Sequence, residues 1–296
     1  MEDVALREKF NRALDSTVNK LQQNKSCLAA FLIGSPSHDS IWEWSDLTIV
    51  AIFDNSYTGQ YYYYIMENDI PVILDIKEKN EFKTYLAQTN VADYYYCALS
   101  KSKILFCKDV ALEEYFKESF YISDHEREVE MLLGFSEVVY NLNKVEKNFV
   151  VKNNIDNAVY FLIRVANGVS WLEVAKARLF PEREIVAQAR LLSPELIGSI
   201  YDRLFQGIIS PELIQEIIEE CHRYLEDNTQ GVYRPVINYL NENGSLKDFS
   251  MKTRDHGFGI DFLWLCRMGM IGMGTEPIKL EGQPEQEYYQ IYFDKK

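Results

Sequence analysis

The amino-acid sequence predicts an α/β (α+β) domain with a mixed sheet, followed by an α-helical bundle and a small winged-helix-like domain. Three observations predict it. Short apolar runs alternate with helical stretches over residues 1–122, residues 123–227 are almost continuously helix-periodic, and from residue 228 helix period gives way to strand period. We take 1–122, 123–227 and 228–296 as the expected domains.

Residues 3–23 place Val4, Phe10, Leu14, Val18 and Leu21 at three- and four-residue spacing, which predicts an amphipathic helix. "SCLAAFLIGS" reads as a buried strand ending at Gly34, and "SDLTIVAIFDN" as a second. "DIPVILDIKEKNEF" is a third, with Pro71 near its start, where a missing N–H is tolerated. "KSKILFCKD" is a short fourth strand, and "ALEEYFKESF" begins a helix after Asp109. Two long periodic segments follow, from residues 124 and 154, the second stopped by Pro181. Two echoes, "SPELIGSI" at 193 and "SPELIQEI" at 210, each offer a Ser N-cap, Pro at the first helical position and Glu in the first turn. They read as capped bundle helices. "GVYRPVINYLNEN" is a helix that Gly244 ends. "SLKDFSMKTRD" and "IDFLWLCRMG" read as two short helices, and "MIGMGTEPIKLEG" and "QEYYQIYFD" as two strands joined by a Gly/Pro turn. Helices followed by a two-stranded ribbon are the layout of a winged helix.

The bulk numbers bound the function. The 296 residues are 47% hydrophobic and carry a formal charge of −14, which disfavours wholesale polyanion binding but leaves open nucleotides held through metal ions and backbone donors. Cys27, Cys97, Cys107, Cys221 and Cys266 are odd in number and scattered, so free thiols are expected rather than a zinc site or a disulfide framework. "MEDVALREKF" is charged and amphipathic, and no run of about 18 apolar residues occurs. We therefore expect no signal peptide, no membrane span and a cytoplasmic protein.

The chemistry concentrates in "FLIGSPSHDSIWEWSDLTIV", residues 31–50. A strand ends at Gly34, where backbone can approach a ligand, and Ser35 adds a hydroxyl beside N–H groups able to hold a phosphate. After ten intervening residues Asp46 opens the next strand, with Thr48 on the same face. A carboxylate pair there would grip two Mg²⁺ ions for in-line displacement, and Asp75 in "PVILDI" is the well-placed third carboxylate; Asp69 precedes the strand and is a poorer one. His38 lies in the loop between Ser35 and Asp46, whereas His125, His222 and His256 stand isolated. "YYYY" at 61–64 and "YYY" at 94–96 could stack on a ring, with packing the expected use.

Gly34-Ser35, ten residues, then Asp46-Leu47-Thr48 resembles the polymerase-β-like nucleotidyltransferase superfamily, and "WSDLTIVAIF" resembles the corresponding phrase of antibiotic nucleotidyltransferases. The resemblance covers about residues 25 to 225. It implies that Gly34 and Ser35 cradle the β/γ phosphates and that Asp46 is the first metal ligand. It also implies that a bundle helps to build the acceptor pocket. Thr48 departs from the pattern at the second carboxylate, and Asp75 lies two residues beyond the usual third position, near Ile73.

The leading expectation is thus a nucleotidyltransferase-like protein with weakened or lost catalysis that retains a nucleotide- or ligand-binding cleft. An alternative is an active Mg²⁺-dependent enzyme transferring a nucleotidyl group to a small-molecule hydroxyl, with Asp46 and Asp75 as catalytic and metal-ligating residues. Mg²⁺ is then the cofactor, with none otherwise, and a nucleoside triphosphate and a small acceptor are the partners. A third expectation is a nucleotide-sensing winged-helix regulator. Residues 228–296 hold eight Lys/Arg against nine Asp/Glu, and "GIDFLWLCRMG" is mostly apolar, so DNA contact is disfavoured. Burial against the bundle, or in a homodimer, fits better.

Overall fold

The computed structural model describes residues 4–34, 41–89, 91, 93–246, 249, 260–278 and 288–295. The chain divides into two compact units, Met1–Tyr121 and Ile122–Lys296.

The first unit opens with helix α1 (Val4–Gln23) and strands β1 (Cys27–Ile33), β2 (Leu47–Phe53), β3 (Tyr62–Glu67) and β4 (Ile70–Glu78). Helices α2 (Lys79–Gln88) and α3 (Tyr94–Ser100), strand β5 (Lys103–Cys107) and helix α4 (Val110–Glu118) complete it. The five strands form one mixed sheet in the order β3-β4-β2-β1-β5, with β2 and β4 parallel and the other neighbours antiparallel. β3 escapes a reading of the sequence that looks for aliphatic runs, because Tyr supplies its residues. Its signal is the hairpin: Glu67 pairs with Ile70 across Asn68 and Asp69, both with positive φ (49° and 58°). Asn and Asp adopt that backbone more readily than other non-glycine residues, and the two-residue turn matches the twist of the strands.

α1 covers one face of this sheet. Phe10, Ala13, Thr17 and Leu21 are its buried stripe, set against Ala30, Leu32, Ile49, Ala51 and Val72. The expected stripe is therefore shifted: Leu14 and Val18 are half-buried and Val4 is exposed. On the other face Phe31 stacks on Phe116 of α4 at 4.2 Å and on Phe82 of α2 at 5.8 Å. Burying each ring contributes about 1.5–3 kcal/mol, so this trio anchors α2 and α4.

The second unit is helical. α5 (Asp124–Glu146) runs through a π-helical turn (Lys147–Val151) towards α6 (Ile155–Lys176). α7 (Ile185–Leu192), α8 (Pro194–Ile200), α9 (Pro211–Val232), α10 (Arg234–Asn243) and α11 (Phe262–Arg267) follow, and β6 (Gly272–Ile278) pairs antiparallel with β7 (Tyr288–Asp294). α6 is apolar and long enough to cross a membrane by length and composition alone, a test that a buried core helix also meets. Here it is the core helix of a bundle. It meets α5 at two glycines: a Cβ on Gly168 would stand 2.9 Å from Val138 Cγ2, and one on Gly134 would stand 3.1 Å from the Leu172 backbone nitrogen. The helices come so close there that any Cβ would crowd its neighbour.

The two Ser-Pro-Glu-Leu-Ile echoes diverge. Ser210 caps α9 by accepting from Leu213 N at 3.2 Å. Ser193 makes no side-chain cap and donates its hydroxyl to Glu173 Oε2 at 2.5 Å. Pro181 lies beyond the end of α6, whose last residue is Lys176; Arg178 follows with φ of 56°. Gly244, at φ of 76°, ends α10 as expected. Trp264 and Leu265 of α11 are buried in the bundle core, and Trp264 Nε1 donates to Thr229 Oγ1 at 2.9 Å. His222 is not isolated: its Nε2 lies 2.7 Å from Glu146 Oε1. The helix expected in "SLKDFSMKTRD" falls almost wholly outside the described residues, as does His256.

Candidate functional site

β1 delivers Gly34 in the left-handed region (φ of 82°), with nothing among the described residues within 4 Å of where a Cβ would stand. An open glycine of that conformation suits backbone approach to a ligand. Ser35 and His38 lie outside the described residues. The chain returns through a turn that Ser45 closes: Ser45 N donates to Trp42 O at 2.9 Å and Trp42 N to Ser45 Oγ at 3.1 Å. This turn fixes the entry to β2 and sets Asp46 one residue before the strand. Thr48 Oγ1 donates to Asp46 Oδ1 at 3.1 Å.

The pairing of the strands decides what Asp46 faces. Ile33, Thr48, Ile73 and Tyr64 form one row across β1, β2, β4 and β3, and Phe31, Val50, Asp75 and Tyr62 form the next row on the same face. The position beside Thr48, where a third carboxylate would complete a two-ion site, is therefore Ile73. Asp75 shares a face with Asp46 but stands four residues further along, about 13 Å at ~3.3 Å per residue. Cation–oxygen distances of about 2.1 Å leave no single ion that both carboxylates could hold. The sequence set these two residues as joint ligands; the register separates them. Asp69 sits in the β3–β4 turn, exposed, with Lys9 at 3.8 Å. Among the described residues no cluster of three or more His, Cys, Asp or Glu side chains is arranged to hold a metal ion. The donor set at Asp46, one carboxylate beside a hydroxyl and an isoleucine, does not fit a pair of Mg²⁺ ions.

Asp75 belongs to a different feature. A cavity of about 230 Å³ is lined by Asp75, Lys77, Phe82, Tyr85, Asp93 and Tyr95, with Glu81 beside them. Tyr95 donates its hydroxyl to Asp75 Oδ2, and Lys77 Nζ lies 3.2 Å from Oδ1. Tyr85 donates to Asp93 Oδ1 at 2.6 Å, and its ring meets that of Tyr95 edge-on at 5.6 Å. Burial first, and then the neighbouring carboxylate, pushes both phenols up from their ordinary value, Asp75 acting on Tyr95 and Asp93 on Tyr85. The polar contacts and the aromatic walls are both in place without a ligand.

On Asp46's face the outer rim is aromatic and open. Tyr62 and Tyr64 are exposed, their rings 5.5 Å apart in a T-shaped pair, and Trp42 and Trp44 are exposed in the preceding loop. A hydrogen bond with Tyr64 raises the Tyr62 phenol most, with the charges of Asp75 and Asp46 adding to it. Packing was the expected use of "YYYY", and Tyr63 does pack against the core, whereas Tyr62 and Tyr64 face solvent from an edge strand.

This sheet, followed by this bundle, has a counterpart among solved structures. The fold is nucleotidyltransferase-like. A nucleotidyltransferase-like protein from Exiguobacterium sibiricum matches it with a TM-score of 0.61 and 14% sequence identity, over 97% of this chain and 99% of that one. No protein-family profile matches the chain, and no curated protein does. Gly34 follows the last residue of β1, Asp46 precedes the first residue of β2, and Thr48 lies on β2. Lys77, Tyr85 and Asp93 were missed and Tyr95 was seen only as part of "YYY", because what joins the four is the packing of α2 and α3 on β4. The available signal was "YYY" at 94–96 directly after Asp93, an N-cap residue whose side chain accepts from Tyr96 N.

Proposed function

We propose that this chain is a nucleotidyltransferase-like protein whose catalysis is weakened or lost and whose N-terminal sheet binds a nucleotide or a related ligand. The row Ile33–Thr48–Ile73–Tyr64 carries the reading. Transfer by a two-ion mechanism needs several carboxylates at one end of this face. The face offers Asp46, a hydroxyl already donated to it, and an apolar side chain. One carboxylate holds Mg²⁺ poorly, because the ion gives up its water reluctantly. Ligand contact demands less: an open left-handed glycine at a strand end, the adjacent Ser35 and exposed aromatic rings support binding of a phosphorylated ring compound.

Calorimetric titration with ATP, with and without Mg²⁺, tests this alongside an assay for pyrophosphate release. The expected result is binding that Mg²⁺ does not strengthen, and no pyrophosphate. Mg²⁺-dependent binding lost in Asp46→Ala, with pyrophosphate released, would establish the active enzyme instead. Failure of any nucleotide to bind would end the ligand-retaining part of the reading.

A further inference from the structure

β3 closes one end of the five-stranded sheet, and among the described residues no strand lies beyond it. The hairpin register says which of its backbone groups are unused. Ile76 N donates to Tyr61 O at 2.8 Å, so Tyr61 bonds to β4. In an antiparallel pair alternate residues bond to the same neighbour, which assigns Tyr63, Ile65 and Glu67 to β4 as well. Tyr62, Tyr64 and Met66 therefore turn their N–H and C=O groups to the open side. Pro71 fits this phase, standing opposite Met66 where β4 needs no N–H towards β3. The Gln60 side chain donates to Tyr62 O, a local substitute for a missing strand. Natural sheets blunt such an edge with Lys, Pro or a bulge. Tyr62–Met66 has none of these: it reads Tyr-Tyr-Tyr-Ile-Met, pairs with β4 without a break and carries no charge in a chain of −14. The side chains of the three outward residues are open too, at 46%, 70% and 67% exposure. At about 200 Å² for a side chain of this size, they present roughly 350–400 Å² per copy before backbone is counted.

We propose that two copies of this chain pair through β3, antiparallel about a two-fold axis at Tyr64, so that their sheets join into one. A second β3 in this register meets every outward residue with another: Tyr64 faces the partner's Tyr64, and Tyr62 faces the partner's Met66. Registers centred one residue either way leave Met66 or Tyr62 without such a match. About six backbone hydrogen bonds result. Tyr62 O keeps its bond from Gln60, because a carbonyl oxygen has two lone pairs. With the edge backbone added, the covered area approaches the ~1,000 Å² at which specific interfaces begin. Charge favours this face over others, since copies of a −14 chain repel wherever carboxylates meet. Here the strand is uncharged, and the carboxylates at its end are paired, Glu67 with Lys20 and Asp69 with Lys9 at 3.8 Å. The contact uses the same edge on both copies, so assembly through β3 stops at two. It goes beyond the nucleotide reading and does not depend on it, because β4 stands between β2 and this edge.

Sedimentation velocity on the full chain over a wide concentration range tests this, with amide hydrogen exchange followed by NMR. A monomer–dimer equilibrium is expected. The amides of Tyr62, Tyr64 and Met66 should exchange fast in dilute samples and slowly in concentrated ones, whereas those of Tyr63 and Ile65 should be slow in both. Met66→Pro removes an N–H that β4 does not use, so the fold keeps its bonds while the dimer should weaken by about tenfold or more. Tyr64→Lys and Tyr64→Asp should each be monomeric, because like charges would meet at the axis, and an equimolar mixture of the two should dimerise again. That rescue keeps the test independent of any loss of stability in the single variants. Both readouts, mass and amide exchange, are indifferent to whether a nucleotide binds. A chain that is monomeric at every concentration, a dimer that Met66→Pro leaves as tight as before, or a charge-swapped mixture that stays monomeric overturns the proposal.

Discussion

Both oxygens of Asp75 are held, one by the Tyr95 hydroxyl and the other by the Lys77 ammonium, and its side chain is 13% exposed. Tyr95→Phe therefore removes a donor from a largely buried charge and should destabilise the protein by about 1–3 kcal/mol in urea denaturation. A neutral result would mean that the pair is not formed in solution. Thr48 does the opposite of what a second ligand would do. Its hydroxyl donates to Asp46, so the face is self-sufficient without a cation. Thr48→Asp would set two carboxylates side by side, and we expect the variant to melt lower than the parent in chelator and to regain stability on adding Mg²⁺. No response to Mg²⁺ would mean that position 48 does not face the ion path. At this scale Gly34, Asp46 and Thr48 were legible because strand period assigns a face from the sequence alone. The separation of Asp75 from Asp46 was not, because register is a property of two strands and the alternation of either one is silent about it.

The identical quintets at 193 and 210 show how elements acquire meaning from their surroundings. Ser210→Ala should cost about 1 kcal/mol through loss of a cap. Ser193→Ala removes instead a bond to Glu173, whose carboxylate also accepts from Lys176 and Tyr224 and so joins α6, α9 and the start of α8. Burial pushes the Glu173 carboxyl up, but these three donors outweigh it and leave the group below its ordinary value. The cost of Ser193→Ala should accordingly fade in denaturation experiments as pH drops through the carboxylate range, and that of Ser210→Ala should not. The α5–α6 crossing supplies a sharper case. Alanine is the better helix former by about 1 kcal/mol, yet Gly168→Ala drives a methyl against Val138 and should destabilise by about 1–3 kcal/mol. Sequence periodicity finds both helices and cannot see that they touch through these glycines.

At the scale of the whole molecule, each unit buries a thiol. Burial raises Cys27 in the first unit from 9.0 to about 11, and Cys221 in the second from 9.0 to about 12. The unfolded chain releases these protons near pH 9 and the folded chain only at the higher values. Between them the unfolded state binds fewer protons, so stability falls as pH rises. Urea midpoints should hold below pH 9 and decline above it, by up to about 2–3 kcal/mol from Cys27 alone. Cys27→Ala should flatten the alkaline decline of the first unit and Cys221→Ala that of the second; an unchanged slope in both would locate the titration elsewhere. The order of the sheet has a consequence for synthesis. β1 lies between β2 and β5, and Phe31 pairs with Ile104 across most of the first unit. As the chain leaves the ribosome, one edge of β1 stays open until Cys107 has emerged. The early apolar strand thus waits without its second neighbour, as a strand with an unmet edge and a ready site for chaperone contact. The helices that follow can form from contacts close in sequence as soon as they appear.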